Sequence, residues 1–207
     1  MLMRGMLLSF SDPVAGMVPS LVPFQYSPAE VTRVLRVQSG TSGGSGLRVG
    51  GPPVESYTLK IELDALDAID KPITGALGIG PMLATIEGLL EPGGGGLAAL
   101  VGAVAGALGG GGAGAPPVPA PSLPLVVLAW SLERIVPVRV DTCTIHETGF
   151  DALLQPVQAT VDLSLTVLRA RDLSEEMKLA NVLATAYQAV RTASATVGIA
   201  QGVELML

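Results

Sequence analysis

Val54-Glu-Ser-Tyr-Thr-Leu-Lys-Ile-Glu-Leu-Asp64 decides the fold class. Tyr57, Leu59, Ile61 and Leu63 alternate with Ser56, Thr58, Lys60, Glu62 and Asp64. A period of two sends the first set to one face of a strand and the second set to the other. The stretch therefore predicts an antiparallel strand with one buried face. Residues 158–168 repeat the pattern, with Ala159, Val161, Leu163, Leu165 and Val167 inward and Gln158, Thr160, Asp162, Ser164 and Thr166 outward.

Working outward, residues 136–147 predict a third long strand. Val136, Val138 and Val140 share one face, but the next apolar residues are Cys143 and Ile145. A β-bulge near Asp141 and Thr142 accounts for the change of parity. The continuous apolar run 125–130 suits a strand buried on both faces. Weaker strands are predicted at 3–10, 22–26 and 31–37, and Pro23 and Pro28 confine the second of these to a sheet edge or a strand end.

Two helices interrupt this pattern. Gly80-Pro81 opens one, with Leu83, Ile86, Leu89 and Leu90 as its apolar face and Pro92-Gly93 as its stop. The other is predicted to start at Asp172, with Glu175 in capping-box register. Leu173, Met177, Ala180, Ala184 and Tyr187 form its stripe, flanked by Leu179, Leu183 and Val190. It is expected to end near Thr196, with Gly198 as its stop.

The chain has 207 residues, with 26 Gly and 16 Pro, 12 Lys and Arg, and 18 Asp and Glu, for a net charge of −6. The length suits one domain with an appendage. The acidic balance argues against nucleic-acid binding, which depends on Lys and Arg at phosphates. One Cys excludes an intrachain disulfide framework, and one Cys with one His excludes a His/Cys metal cluster. Residues 1–10 do not read as a secretory leader, so the cytoplasm is the expected compartment.

Low-complexity sequence falls in two places. Residues 39–51 are Gly/Ser-rich and predict a loop between strands. Residues 93–122 form a Gly/Pro-rich insertion, with an apolar centre at 97–108 and glycines four apart at Gly102, Gly106 and Gly110. Small residues at that spacing occur in packed membrane helices. The apolar centre is far short of the roughly 20 residues that span a bilayer, and no Lys, Arg, Trp or Tyr flanks it. Membrane contact is therefore not expected.

No catalytic constellation emerges. Cys143 and His146, three apart on a strand, point to opposite faces. Gly40-Thr-Ser42-Gly-Gly44 matches a nucleophile-elbow pattern but lies in a linker, without the strand-to-helix turn that chemistry needs. Asp64, Asp67 and Asp70 could present carboxylates to a cation, but lack the alternate spacing and turn glycine of a calcium loop. A solvated turn or a short helix start after the strand is the expected reading. No cofactor, metal or catalytic activity is expected.

Several blocks resemble a known family. Leu21-Val-Pro23-Phe24-Gln25-Tyr26-Ser-Pro28 looks like the "Phe-Gln-Phe/Tyr-Asn-Pro" opening of the tube and baseplate adaptor proteins of contractile injection systems, which are phage-tail-like machines. Val31-Thr-Arg33-Val34 then resembles a strand of that family, 55–67 a strand ending in acidic turns, and Gly78-Ile-Gly-Pro81-Met-Leu-Ala its Gly-x-x-Pro-x-Leu-Ala helix. The last block resembles Pro137-Val-Arg139 and its continuation to Phe150, followed by Gln155-Pro156-Val. The order and spacing cover most of the chain outside 93–122. Ser27 stands where the family has Asn, and residues 173–207 do not resemble the LysM-type module that relatives often carry.

The resemblance implies an α+β, mainly antiparallel fold: a tail-tube-like β-barrel or sandwich at 1–172 with a packed helix, and a helical extension at 173–207. It implies a baseplate subunit that joins the spike to the inner tube and initiates that tube. The expected partners are copies of the chain in a hexameric ring, the inner tube protein, the spike and other baseplate components. Such a particle forms in the cytoplasm and can be released from the cell. Pro23, Phe24, Gln25, Tyr26, Pro28, Arg33, Pro81, Pro137, Arg139 and Pro156 become the candidate interface and motif residues. The alternatives are an inner tube subunit of the same machine, or a small non-catalytic ligand- or peptidoglycan-binding β module.

Overall fold

The structure, a computed structural model, describes residues 5–10, 20–39, 49–68, 77–91, 123–131 and 133–204. Seven strands follow in chain order: β1 (Met6–Phe10), β2 (Ser20–Pro23), β3 (Val31–Ser39), β4 (Val49–Asp64), β5 (Leu125–Ser131), β6 (Arg134–Phe150) and β7 (Pro156–Val167). Helix α1 (Gly80–Glu87) lies between β4 and β5, and α2 (Lys178–Glu204) follows β7. The strands form one open antiparallel sheet in the order β2-β1-β5-β6-β7-β4-β3.

The long alternating strands are neighbours at the heart of this sheet. Tyr57 lies opposite Leu165, Leu59 opposite Leu163, and Ile61 opposite Val161. All six side chains are buried, because both strands present the same parity to the core. On β6 the ladder shifts between Val140 and Thr142, so the expected bulge is present. It brings Cys143 opposite Leu163 and Ile145 opposite Val161, on the core side. Strand β5 buries both parity sets, with Leu125, Val126, Val127 and Leu128 all enclosed. Strand β2 is an edge strand, as its proline requires, but spans 20–23 rather than 22–26.

Helix α1 covers the core face with Leu83 and Ile86, and Ile79 and Leu89 flank them in the same cluster. Pro81 sits in its first turn, where the missing N–H costs nothing. The helix ends in tighter turns, in which Leu89 N–H donates to the Ile86 carbonyl and Leu90 N–H to that of Glu87. Gly78 precedes it at φ +64°, and a side chain there would meet the Pro156 carbonyl at 3.1 Å. Only glycine fits such a position comfortably.

Two strands reach into the stretch expected as a loop. Strand β4 begins at Val49 and β3 runs to Ser39, so both enter the Gly/Ser-rich stretch. Bulges at Gln38 accommodate the extra residues. The Arg169 guanidinium donates to the Pro53 carbonyl and holds the early part of β4 in place. Residues 40–48 lie outside the described residues, as does the 93–122 insertion.

Helix α2 starts at Lys178, not Asp172, and continues through Gly198 to Glu204. The Asp172 carboxylate is already used: it accepts the Arg169 N–H at 3.1 Å and closes a 3₁₀ turn over Ala170–Asp172. Gly198 stays helical because a glycine stops a helix by turning left-handed, and its φ is not positive. Of the expected stripe, Ala180, Ala184 and Tyr187 are buried and Tyr187 joins the sheet's own core cluster, whereas Leu173 and Met177 precede the helix and are half-buried.

The parity assignment has a direct check. Leu163→Ala, which removes a fully buried side chain, is expected to lower unfolding free energy by about 2–5 kcal/mol. Thr58→Ala on the opposite face should change it by less than about 0.5 kcal/mol. Urea titrations of both variants read the difference; equal effects would invert the assigned faces.

Candidate functional site

Three features carry the side-chain chemistry of the described residues: a strap at 23–28, a buried carboxylate, and a polar sheet face. The strap is the segment that resembles the family's opening motif. Pro23 closes β2 and is exposed. Phe24 is fully buried, its ring centroid 6.1 Å from that of Trp130. Its backbone N–H donates to the Gly5 carbonyl at 2.9 Å. A Cβ on Gly5 would fall 2.7 Å from the Phe24 ring, so the close packing requires glycine.

Gln25 acts as a surrogate backbone. Its Nε2 donates to the Asp64 carbonyl at 2.6 Å, and the Asp64 N–H donates to its Oε1 at 2.9 Å. This pair of bonds ties the strap to the end of β4, much as a neighbouring strand would. Tyr26 donates its hydroxyl to the Asp67 carboxylate. That bond to a carboxylate, reinforced by neighbouring acids, pushes the Tyr26 phenol up to about 12. Asp64 Oδ1 accepts the Leu66 N–H at 2.8 Å, and its Oδ2 accepts Gln158 Nε2 at 2.7 Å. Asp64 and Asp67 thus serve a short 3₁₀ helix at Leu66–Ala68 and the strap. Asp70 lies outside the described residues.

Arg33 leads to the second feature, which the sequence reading missed. Its Nε lies 2.7 Å from Glu55 Oε1, and Glu55 is fully buried. Arg191 Nη1, from α2, lies 2.6 Å from the other carboxylate oxygen. The Tyr187 hydroxyl donates to Glu55 at 2.6 Å and the Tyr57 hydroxyl at 2.9 Å. Burial alone raises a carboxyl's affinity for its proton. Here the two phenols and the two guanidiniums outweigh that effect and hold Glu55 below the ordinary carboxylate range. Burial and the bonds to Tyr187 and Glu55 push the Tyr57 phenol up. The signal was present in the sequence. Glu55 shares the parity of Tyr57, so β4 places a carboxylate on its apolar face.

The third feature is the outer face of β6, β7 and β4. Thr142, Ser164 and Thr58 form one row across the strands; Thr144, Asp162 and Lys60 form the next; His146, Thr160 and Glu62 form a third. Lys60 Nζ lies 3.9 Å and His146 Nε2 3.8 Å from Asp162. A groove of about 430 Å³ opens on this face, bounded by Tyr26, Pro28, Glu30, Thr32, Lys60 and Glu62. Cys143 points the other way and is half-buried, and burial pushes its thiol up. Cys143 and His146 are therefore on opposite faces, as the spacing required. Among the described residues no cluster of His, Cys, Asp and Glu has metal-site geometry. The pattern around Ser42 lies outside the described residues.

The remaining candidate residues are dispersed rather than convergent. Pro137 is buried in β6, and its carbonyl accepts the Leu168 N–H at 2.9 Å. Arg139 is exposed and pairs with Asp141 at 2.9 Å. Pro81 heads α1, and its carbonyl accepts the Thr85 hydroxyl at 2.8 Å. Pro156 opens β7 opposite Phe150. At that end the β6–β7 turn carries Leu153 and Leu154, about four-fifths exposed, with Leu154 at φ +61°. Asp151 Oδ1 accepts the N–H groups of Leu153 and Gln155 and holds this turn.

Set against known proteins, the chain matches no family model and no curated protein.

Three predictions follow from the strap and the buried carboxylate. Gln25→Ala removes both bonds to Asp64 and should cost about 1–3 kcal/mol of stability, read by urea titration. Glu55→Ala leaves two guanidiniums and two phenols without their acceptor and should cost about 3–5 kcal/mol. A carboxyl whose native pKa is depressed contributes stability above its ordinary value of 4.5, and loses it as pH falls through the native value. The melting temperature of the native chain should therefore drop below pH 4.5 more steeply than that of Glu55→Gln. Parallel profiles would assign the acid transition to other groups.

Proposed function

We propose that this chain is a ring-forming structural subunit of a contractile injection system baseplate, which joins the spike to the inner tube and initiates that tube. One observation carries the reading. The sheet is open, and among the described residues β2 and β3 each leave one edge without a strand partner. Unpaired edges invite pairing with another chain. An open antiparallel sheet with one polar face is what a ring of copies would join edge to edge into a barrel around a wet lumen. The barrel is then a property of the ring rather than of one subunit.

The polar rows of β6, β7 and β4 suit that lumen wall, and the core face with α1 suits the outside. The strap residues that resemble the family opening hold the edge region in shape: Phe24 as a buried plug, Gln25 as a clamp, and Tyr26 as a tie to Asp67. In this reading the chain acts through rigid geometry, with no chemistry of its own, and assembles in the cytoplasm. Among the described helices none is long and apolar enough to cross a membrane.

A second reading rests on the groove beside Tyr26. Its volume and its acidic lining with one lysine suit a small polar ligand, as in a monomeric binding module.

The test is negative-stain microscopy of particles recovered from the native host through a tag on this chain. Syringe-like sheathed particles labelled near one end are expected, and they should be missing from a strain lacking the chain. Label along the whole tube would make it the inner tube subunit. A monomer without particles would overturn the assembly reading in favour of the binding module.

A further inference from the structure

The first turns of α2 are anchored and the later ones are not. Ala180, Ala184 and Tyr187 are buried, the helix packs against β6, and Arg191 grips Glu55. From Thr192 to Gln201, and again at Glu204, every described side chain is exposed. Val197 and Ile199 are 58% and 71% exposed, and residues two apart lie on nearly opposite sides of a helix. Among the described residues, the distal half of α2 therefore has no packing partner on either side.

Its sequence is poorly suited to stand alone. Residues 192–204 include Thr192, Thr196, Val197, Ile199, Gly198 and Gly202, all weaker helix formers than Ala. These turns propagate from the anchored part of a 27-residue helix, but most helical stability in proteins comes from tertiary packing of a face, which they lack among the described residues. No charged residue occurs between Arg191 and Glu204, so this surface lacks the charges that normally solvate an exposed helix. Interface cores are likewise depleted in charge.

The exit point identifies the occupant. Arg191 shares Glu55 with Arg33, and Arg33 belongs to β3, the strand at one free edge of the sheet. The distal half of α2 thus departs beside that edge. At 1.5 Å per residue it reaches about 20 Å farther. In a ring joined edge to edge, the neighbour at the β3 edge is the next copy of this chain.

We infer that residues 192–204 of α2 form an arm that packs on the adjacent copy. The inference rests on the ring reading above, and it adds a partner surface that edge pairing does not require. Arg33, Glu55 and Arg191 then act as the joint that aims the arm.

The experiment compares the full native chain with the full-length double variant Val197→Asp/Ile199→Asp by sedimentation velocity. The native chain is expected to sediment as a ring. The double variant is expected to sediment as a subunit of about 21.0 kDa, with the near-ultraviolet circular dichroism of an intact core. Gly198→Pro, at a position where a Cβ meets no other element within 4 Å, should act in the same direction by breaking the arm's helix through its ring and lost N–H. Rings that form undiminished in both variants would overturn the arm while leaving the ring reading intact. A native chain that sediments only as a monomer would overturn the ring reading, and the arm with it.

Discussion

Along the β4–β7 ladder, each buried side chain of one strand faces a buried side chain of the other, from Tyr57 opposite Leu165 to Leu63 opposite Ala159. A slip of one residue would turn Lys60, Glu62 and Asp162 into the core, so the register is fixed by the cost of burying charge. The other elements take their places from this pair. Strand β6 extends the sheet on one side and needs its bulge after Val140 to keep Cys143 and Ile145 on the core face. Strand β3 extends it on the other side and ends the sheet. Helix α1 then has one apolar surface on which Leu83 and Ile86 can be buried.

Glu55 stands where that apolar row ends, and its role is orientation more than bulk stability. A buried ion pair gains little over well-packed apolar groups, because desolvation offsets the attraction. Its geometry is far more demanding than that of an apolar contact, however. Only one placement of α2 brings the Tyr187 hydroxyl and the Arg191 guanidinium to the same carboxylate. Apolar contacts of Ala180 and Ala184 alone would tolerate sliding and rotation of the helix. The two phenols and two guanidiniums leave neither carboxylate oxygen without a partner.

The long strands were legible in the sequence because a half-buried strand writes its environment in every second residue. The parity switch in β6 was legible for the same reason, since a bulge must shift the apolar set. Strand ends were less so: β3 and β4 run into glycine, serine and proline, where no alternation marks a boundary. The start of α2 misled because Asp172 and Glu175 imitate a cap while the Asp172 carboxylate serves a 3₁₀ turn just upstream. Glu55 was hidden by its partners. Arg33 is on another strand, Tyr187 and Arg191 are far along the chain, and no local pattern announces that they converge. The strap residues stood out in the sequence only as a resemblance to a family motif, which says nothing of their contacts. Gln25 as a backbone surrogate was not legible, because its partner is the main chain of Asp64.

The order in which the Glu55 charge is neutralised follows the order in which the chain is made. Arg33 lies on the hairpin strand next to β4, so its pairing with Glu55 needs only local chain closure. Arg191 lies 136 residues away and can arrive only after β5, β6 and β7 exist. Contacts of such separation form late and slowly in sheet proteins. A β3–β4 hairpin that collapsed early without Arg33 would expose the growing core to an unpaired carboxylate for most of synthesis. With Arg33 beside it, the acid has a counter-charge from the start, and the final helix finds a socket already half built.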